Sequence, residues 1–178
     1  MEKSNLIIGR YLQYFSLFIL VNSSCINGAD DFHMKSFVVD THNDILLRSM
    51  IGRDILTDLP ESHSDLVKFK KGGMDLQVFS IWVSPYMFTK DESFEEANEM
   101  ITQLEYLCSR VPDQWSIPMN YQDIVYNEQH NILSCMIGVE GGHAIENNLS
   151  KLNALYDRGM RYLGITWNNS TDWATSAK

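Results

Sequence analysis

The sequence predicts an α/β chain built on parallel strands, and three observations predict it. Apolar runs of strand character alternate with segments whose apolar residues recur every three or four positions. One run, Ile132–Val139 (ILSCMIGV), is apolar on both faces, as a strand covered on each side should be. At 178 residues the chain is long enough for one domain and short for two. Such alternation implies right-handed crossovers between parallel strands, in an open sheet or in a barrel.

In chain order, Phe37–Asp40 (FVVD) reads as a short buried strand. Leu66 to Lys71 reads as a short helix that Ser64 can cap and Gly72-Gly73 can end. Leu76–Val83 (LQVFSIWV), closed by Ser84-Pro85, reads as the second strand. Phe94, Ala97, Ile101, Leu104 and Cys108 mark one face of an amphipathic helix. Asn120–His130 reads as another helix, and Ile132–Val139 as the third strand. Leu149, Leu152, Leu155 and Tyr156 form a further helical face stopped by Gly159, and Met160–Trp167 (MRYLGITW) is the fourth strand. Four strand units are well short of the roughly 250 residues of a complete eight-unit barrel. They read either as an open sheet or as the front half of a barrel.

The charge balance narrows the partners. With 14 Lys+Arg against 23 Asp+Glu, a net charge of −9 offers no basic face for nucleic acid. Lys3 and Arg10 precede an apolar run from Tyr11 to Val21 and then small polar residues, the layout of a secretory signal peptide over residues 1–24. The run is too short to span a bilayer. Cys25 would be acylated if the leader were of lipoprotein type, although Val21 stands one place too early for that motif. The chain is therefore expected outside the cytoplasm, secreted or periplasmic, with a lipid on Cys25 as its only route to a membrane. Cys108 and Cys135 lie on apolar stretches and read as buried free thiols rather than a bridge.

Polar groups with chemistry gather where the strands end. His42 and Asp44, two residues apart in an extended segment, face the same way and can grip one divalent metal. Turn chemistry explains Asp44 equally well. Glu140 follows the third strand and can span two metals, one on each oxygen, while Gly141-Gly142 lets the backbone turn away beneath it; a helix start would also welcome its charge. His143 reads as an ordinary loop histidine before it reads as a ligand, and His33, His63 and His130 read as surface or cap residues. HExxH, GxSxG, P-loop and GxGxxG motifs are absent from the sequence, which leaves zincin, serine-hydrolase, P-loop and Rossmann readings unsupported.

Taken together, VDTHND, FKKGGMDLQVFSIWV, IGVEGGHAIEN and LYDRGMRYLGITWNNSTDWATS resemble the membrane (renal-type) dipeptidase family in order and spacing from about Phe37 to Lys178. The resemblance implies the N-terminal half of a (β/α)8 barrel over residues 25–178, carrying zinc at the carboxyl ends of its strands. It implies that His42 and Asp44 bind the first of two zinc ions, that Glu140 bridges both as the catalytic carboxylate, and that a metal-bridged hydroxide hydrolyses dipeptides. Trp167 stands where many members carry a histidine that contacts the substrate, and an indole can donate a hydrogen bond but cannot carry charge. The family's second-zinc histidines, substrate-binding arginine and later aspartate would fall beyond Lys178. The 178-residue chain is thus expected to hold at most one zinc well and to show little or no peptidase activity. Many members are homodimers. Two other readings stand beside this one: a barrel hydrolase acting on a different amide or a lactam, and a non-catalytic secreted fragment. Asn168-Asn169-Ser170-Thr171 carries overlapping glycosylation acceptors.

Overall fold

The computed structural model describes residues 32–89 and 91–178. The chain divides into two units, Met1–Ser36 and Phe37–Lys178. In the first unit residues 32–35 form a helical turn, with the Ser36 hydroxyl donating to the Phe32 carbonyl at 2.7 Å. The predicted leader and Cys25 lie outside the described residues.

The second unit runs β1 (Val39–Asn43), α1 (Leu46–Met50), α2 (Leu66–Lys71), β2 (Leu76–Trp82), α3 (Ser93–Arg110), β3 (Trp115–Ser116), α4 (Tyr121–Gln129), β4 (Leu133–Glu140), a 3-10 turn (Gly142–Ile145), α5 (Leu149–Asp157) and β5 (Met160–Leu163). Every strand pairing is parallel: β1 with β2, β2 with β4, and both β3 and β5 with β4. β2 covers one edge of β4 from Ser134 to Glu140, so β3 and β5 share the other edge. β3 takes the start of that edge (Trp115↔Leu133) and β5 the end (Val139↔Leu163). The longer strands therefore lie side by side in sequence order, β1-β2-β4-β5. A doubly wound sheet reverses direction at a switch point, whereas a barrel adds each strand on the same side. The sheet has barrel order.

Strand alternation gives the sheet two different faces. Phe79, Ile81, Cys135, Ile137 and Val139 pack toward Ala97, Met100, Ile101, Leu104 and Leu107 of α3 in one buried cluster. Phe69, Phe79 and Trp115 close it with ring centroids 5.3–6.2 Å apart. Val78, Ser80, Trp82, Met136, Gly138 and Glu140 line the opposite face, which register places side by side in pairs such as Ser80↔Gly138 and Trp82↔Glu140. A barrel's interior face carries its chemistry at the strand ends, and Glu140 is the last residue of β4.

Local chemistry explains several boundaries that differ from expectation. Asp65, not Ser64, caps α2. Its carboxylate accepts the backbone N–H groups of Lys68 (2.8 Å) and Leu59 (3.0 Å), while the Ser64 hydroxyl turns to Asn43. The two carboxylate oxygens reach separate donors, Oδ1 the Lys68 N–H and Oδ2 the Leu59 N–H, and the charge strengthens both bonds. β1 starts two residues later than predicted and runs on through His42; at its start the Val38 N–H donates to the Asp75 carboxylate (2.7 Å), while the Val38 carbonyl accepts the backbone N–H groups of Asp75 and Leu76. β5 stops at Leu163, four residues before Trp167. On α3 the buried stripe centres on Met100, Leu104 and Leu107, with Phe94 and Cys108 at its partly buried margins. α4 matches its prediction, with an Asn120–Asp123 capping box and His130 as C-cap. The short α1 and β3 carried no signal that the sequence reading used.

Candidate metal centre

The site forms where β1 bulges. Its register slips between Asp40 and Asn43, and the Asp40 carboxylate accepts the His42 backbone N–H at 3.1 Å. Asn43 pins the far end: its Oδ1 accepts the Ile45 N–H at 3.0 Å and the Ser64 hydroxyl at 3.2 Å, and its Nδ2 donates to Gln77. This bulge lifts the His42 imidazole clear of the sheet, with 44% of its side chain exposed.

There the imidazole meets two carboxylates. His42 Nε2 lies 3.4 Å from Asp44 Oδ1 and 3.5 Å from Glu140 Oε2, and one ligand atom from each of the three residues falls within 4.8 Å of the others. Ligands about 2.0–2.2 Å from one zinc ion stand about 3.3–3.5 Å apart along the edges of a tetrahedron. One nitrogen and two carboxylate oxygens form a donor set that zinc accepts, with the fourth position open. The buried Ser80 hydroxyl donates to Glu140 Oε2 at 3.1 Å and orients that carboxylate. The three residues singled out from the sequence for metal binding thus converge in space.

The surroundings follow from the glycines and the aromatic rings. Gly141 takes φ +107°, a conformation that turns the chain away beneath Glu140, and its α-carbon lies against the His143 imidazole. His143 is not part of the trio. Its Nε2–H donates to the Val83 carbonyl at 2.9 Å, which leaves Nδ1 buried as an acceptor without a partner. It borders a separate cavity of about 420 Å³, together with Pro85, Phe88, Asn169 and Asp172; none of the three converging residues lines that cavity. Trp167 also stands outside the trio, its ring 5.1 Å from Trp82 and 6.2 Å from Tyr86, so these three residues build an aromatic wall beside the strand ends.

Tyr162 lies across the interior face. Its ring rests on Gly138, where an added Cβ would meet the ring at 2.3 Å, and its hydroxyl donates to the Thr41 carbonyl at 3.3 Å. Burial, followed by the charges of Glu140, Asp44 and Asp40, pushes its phenol up, so it remains a neutral donor beside three carboxylates. Sequence reasoning missed Tyr162 and Ser80. A signal for Ser80 existed: with Gln77 it is one of the two polar residues in an otherwise apolar strand.

Comparison with known proteins places these features in a family. The family model for membrane dipeptidases (peptidase family M19) matches residues 26–178. The chain is 32% identical over 151 residues to dipeptidase 3 of Mus musculus and 30% identical over 153 residues to dipeptidase 3 of Homo sapiens. Those alignments cover 81% of this chain and 30% of each relative, so the chain spans about a third of their length. Two solved structures share the fold. An M19 metallopeptidase, dipeptidase AC, has TM-score 0.67 at 24% identity and covers 75% of this chain and 43% of its own. A metallopeptidase from Rhodobacter sphaeroides, liganded with a phosphinate mimic of L-Ala-D-Ala, has TM-score 0.67 at 23% identity and covers 76% of this chain and 46% of its own. Those structural neighbours carry the barrel-ordered sheet, and the family model spans the strand ends that bear His42, Asp44 and Glu140: the chain belongs to the membrane dipeptidase family, peptidase family M19.

Proposed function

We propose that this chain carries the first-metal side of a zinc-dependent dipeptidase centre, with dipeptides as substrates. The convergence of His42, Asp44 and Glu140 carries the reading: both carboxylates stand 3.4–3.5 Å from His42 Nε2, and the three ligand atoms lie within 4.8 Å of one another. His42 and Asp44 would hold one zinc, with Glu140 as the third ligand. Ser80 would steady the Glu140 carboxylate, which would be the group shared with a second ion. Zinc bound there would supply Lewis acidity toward the scissile carbonyl and a lowered pKa for water. Tyr162 keeps its proton among the carboxylates and braces the Thr41 backbone beside His42. Trp167 and Trp82 offer the substrate an apolar wall with an indole N–H at its edge. The leader-like N-terminus would send the protein out of the cytoplasm, and Cys25 would carry a lipid only if that leader were of lipoprotein type. Among the described residues no helix is long and apolar enough to cross a membrane.

Calorimetric titration of the metal-free protein with zinc tests the site. One ion should bind, and His42→Ala or Glu140→Gln should weaken it at least tenfold; unchanged affinity in both variants overturns the assignment. Release of alanine from L-Ala-D-Ala by the zinc-loaded protein reads the activity itself. Tight zinc binding with no release would limit this chain to a half-site.

A further inference from the structure

Four Asn-x-Ser/Thr triplets stand in the sequence, at Asn22, Asn148, Asn168 and Asn169, and the fold treats them differently. Asn22-Ser23-Ser24 falls within the predicted leader. Asn168 and Asn169 are half-buried; Asn169 borders the cavity next to His143, and its Oδ1 is shielded from solvent without a hydrogen-bond partner. Asn148-Leu149-Ser150 is exposed at all three positions, with Leu149 71% in solvent. Two successive left-handed residues, Glu146 (φ +50°) and Asn147 (φ +57°), bring the chain to that point. Side chains anchor both: the Glu146 carboxylate accepts the Phe94 N–H at 2.7 Å and pairs with Lys151, and Asn147 Nδ2 donates to Asp172. Asn148 follows in an extended conformation as the N-cap of α5. Its Oδ1 accepts the Ser150 N–H at 2.9 Å, and its carbonyl accepts the Lys151 N–H at 3.0 Å. The amide oxygen is thereby held in a local turn over Ser150, and Nδ2 stays outside that turn.

We propose that Asn148 carries an N-linked glycan, received from a lipid-diphosphate-linked oligosaccharide in a secretory lumen; this rests on the reading that the leader delivers the chain there. In the transfer, Asn148 Nδ2 bonds to the anomeric carbon of the first sugar. That carbon's bond to the diphosphate oxygen breaks, and the lipid diphosphate leaves with the bonding pair. Nδ2 gives up one of its two protons to a base of the transferring enzyme, and nothing is oxidised or reduced. Oδ1 takes no part, so its bond to the Ser150 N–H and the cap of α5 survive the modification. A bulky, solubilising group here displaces no packed side chain and stands over Leu149, which the fold leaves in solvent. On Asn169 the same group would start from a side chain set into a cavity wall.

The test is translation of the full chain with eukaryotic microsomes, once behind its own leader and once behind a proven secretory leader. Protease protection reads entry, and peptide mapping after N-glycosidase treatment, which leaves aspartate at each occupied site, reads the position. The expected result is aspartate at position 148 in the protected chain, and loss of one glycan in Ser150→Ala. That variant keeps the cap, because Ser150 enters it through its backbone N–H; Asn148→Gln removes cap and acceptor together and should lose the same glycan. Protected chain behind the proven leader with Asn148 recovered unmodified, or with a glycan count that Ser150→Ala leaves unchanged, overturns the proposal. If only the chain behind its own leader stays unprotected, the leader reading fails, and the proven-leader chain still decides Asn148.

Discussion

Ser80 reaches Glu140 across the β2–β4 ladder, hydroxyl to Oε2 at 3.1 Å, although the register partner of Glu140 is Trp82. Trp82 points its ring at Trp167 instead, so a small buried hydroxyl one layer deeper takes the carboxylate. A hydrogen bond from behind a ligand fixes its rotamer and is worth about 10–100-fold in metal affinity. Ser80→Ala should therefore weaken zinc binding about tenfold, read by competition with a chromophoric chelator, while the far-ultraviolet spectrum stays unchanged. Full affinity in Ser80→Ala would show that Glu140 is oriented by something else.

Asp65 gives a pH dependence whose sign can be worked out. Burial raises its carboxyl, but the Lys68 ammonium and the backbone N–H groups of Leu59 and Lys68 outweigh that and hold it below the ordinary carboxylate value. Its folded pKa lies below its unfolded one, so its contribution is present above about pH 4 and is lost as pH falls through the folded value. Asp65→Asn keeps a cap oxygen and removes the charge. The stability gap between native and Asp65→Asn proteins in urea should shrink between pH 7 and pH 3. Asp65→Ala should cost about 2 kcal/mol at pH 7, through the lost cap and a stranded Leu59 N–H. A gap independent of pH would refute the ion-pair account.

Gly138 and Tyr162 form a second pair that one experiment isolates. A Cβ on Gly138 would stand 2.3 Å from the phenol ring, so Gly138→Ala should destabilise by about 1–3 kcal/mol through overpacking. Adding Tyr162→Leu should recover much of that loss, a non-additivity that a double-mutant cycle in denaturant measures. Additive effects would mean the ring does not rest there in solution.

The phase of α3 is open to the same kind of measurement. Leu107 is 1% exposed and central, and Cys108 is marginal. In reduced protein, Leu107→Ala should cost about 2–5 kcal/mol, the range for a buried leucine, and Cys108→Ala should cost much less. The reverse order would support the stripe read from the sequence.

The contrast shows what periodicity can and cannot reveal. Long apolar elements were legible: β2, β4 and α3 fell within a few residues of expectation because burial itself wrote their pattern. β1 was placed two residues early because Phe37 and Val38 are more apolar than Thr41, His42 and Asn43, yet those polar residues extend the strand by side-chain bonds to Gln77 and Asp40. The Ser64–Asp65 choice depended on which acceptor could reach Leu59, a contact six residues back that local pattern does not encode. Within the site, the two-residue spacing of His42 and Asp44 was visible along the chain. The approach of Glu140 was not; it requires β1, β2 and β4 in parallel register. Ser80 and Tyr162 serve the site only from the sheet's interior face, which no linear spacing announces.

The register that unites the trio also sets a timetable. During synthesis His42 and Asp44 emerge roughly a hundred residues before Glu140, an interval of about 5–20 seconds at ordinary elongation rates. Throughout it the nascent chain offers only a two-point chelate, on a bulge whose supporting partner Gln77 has yet to pair. Ser80 can lock the third ligand only after β4 has docked on β2. Unlike a zinc finger, in which the ion nucleates the fold, the proposed site would need β1, β2 and β4 in parallel register before its three ligands could meet one ion.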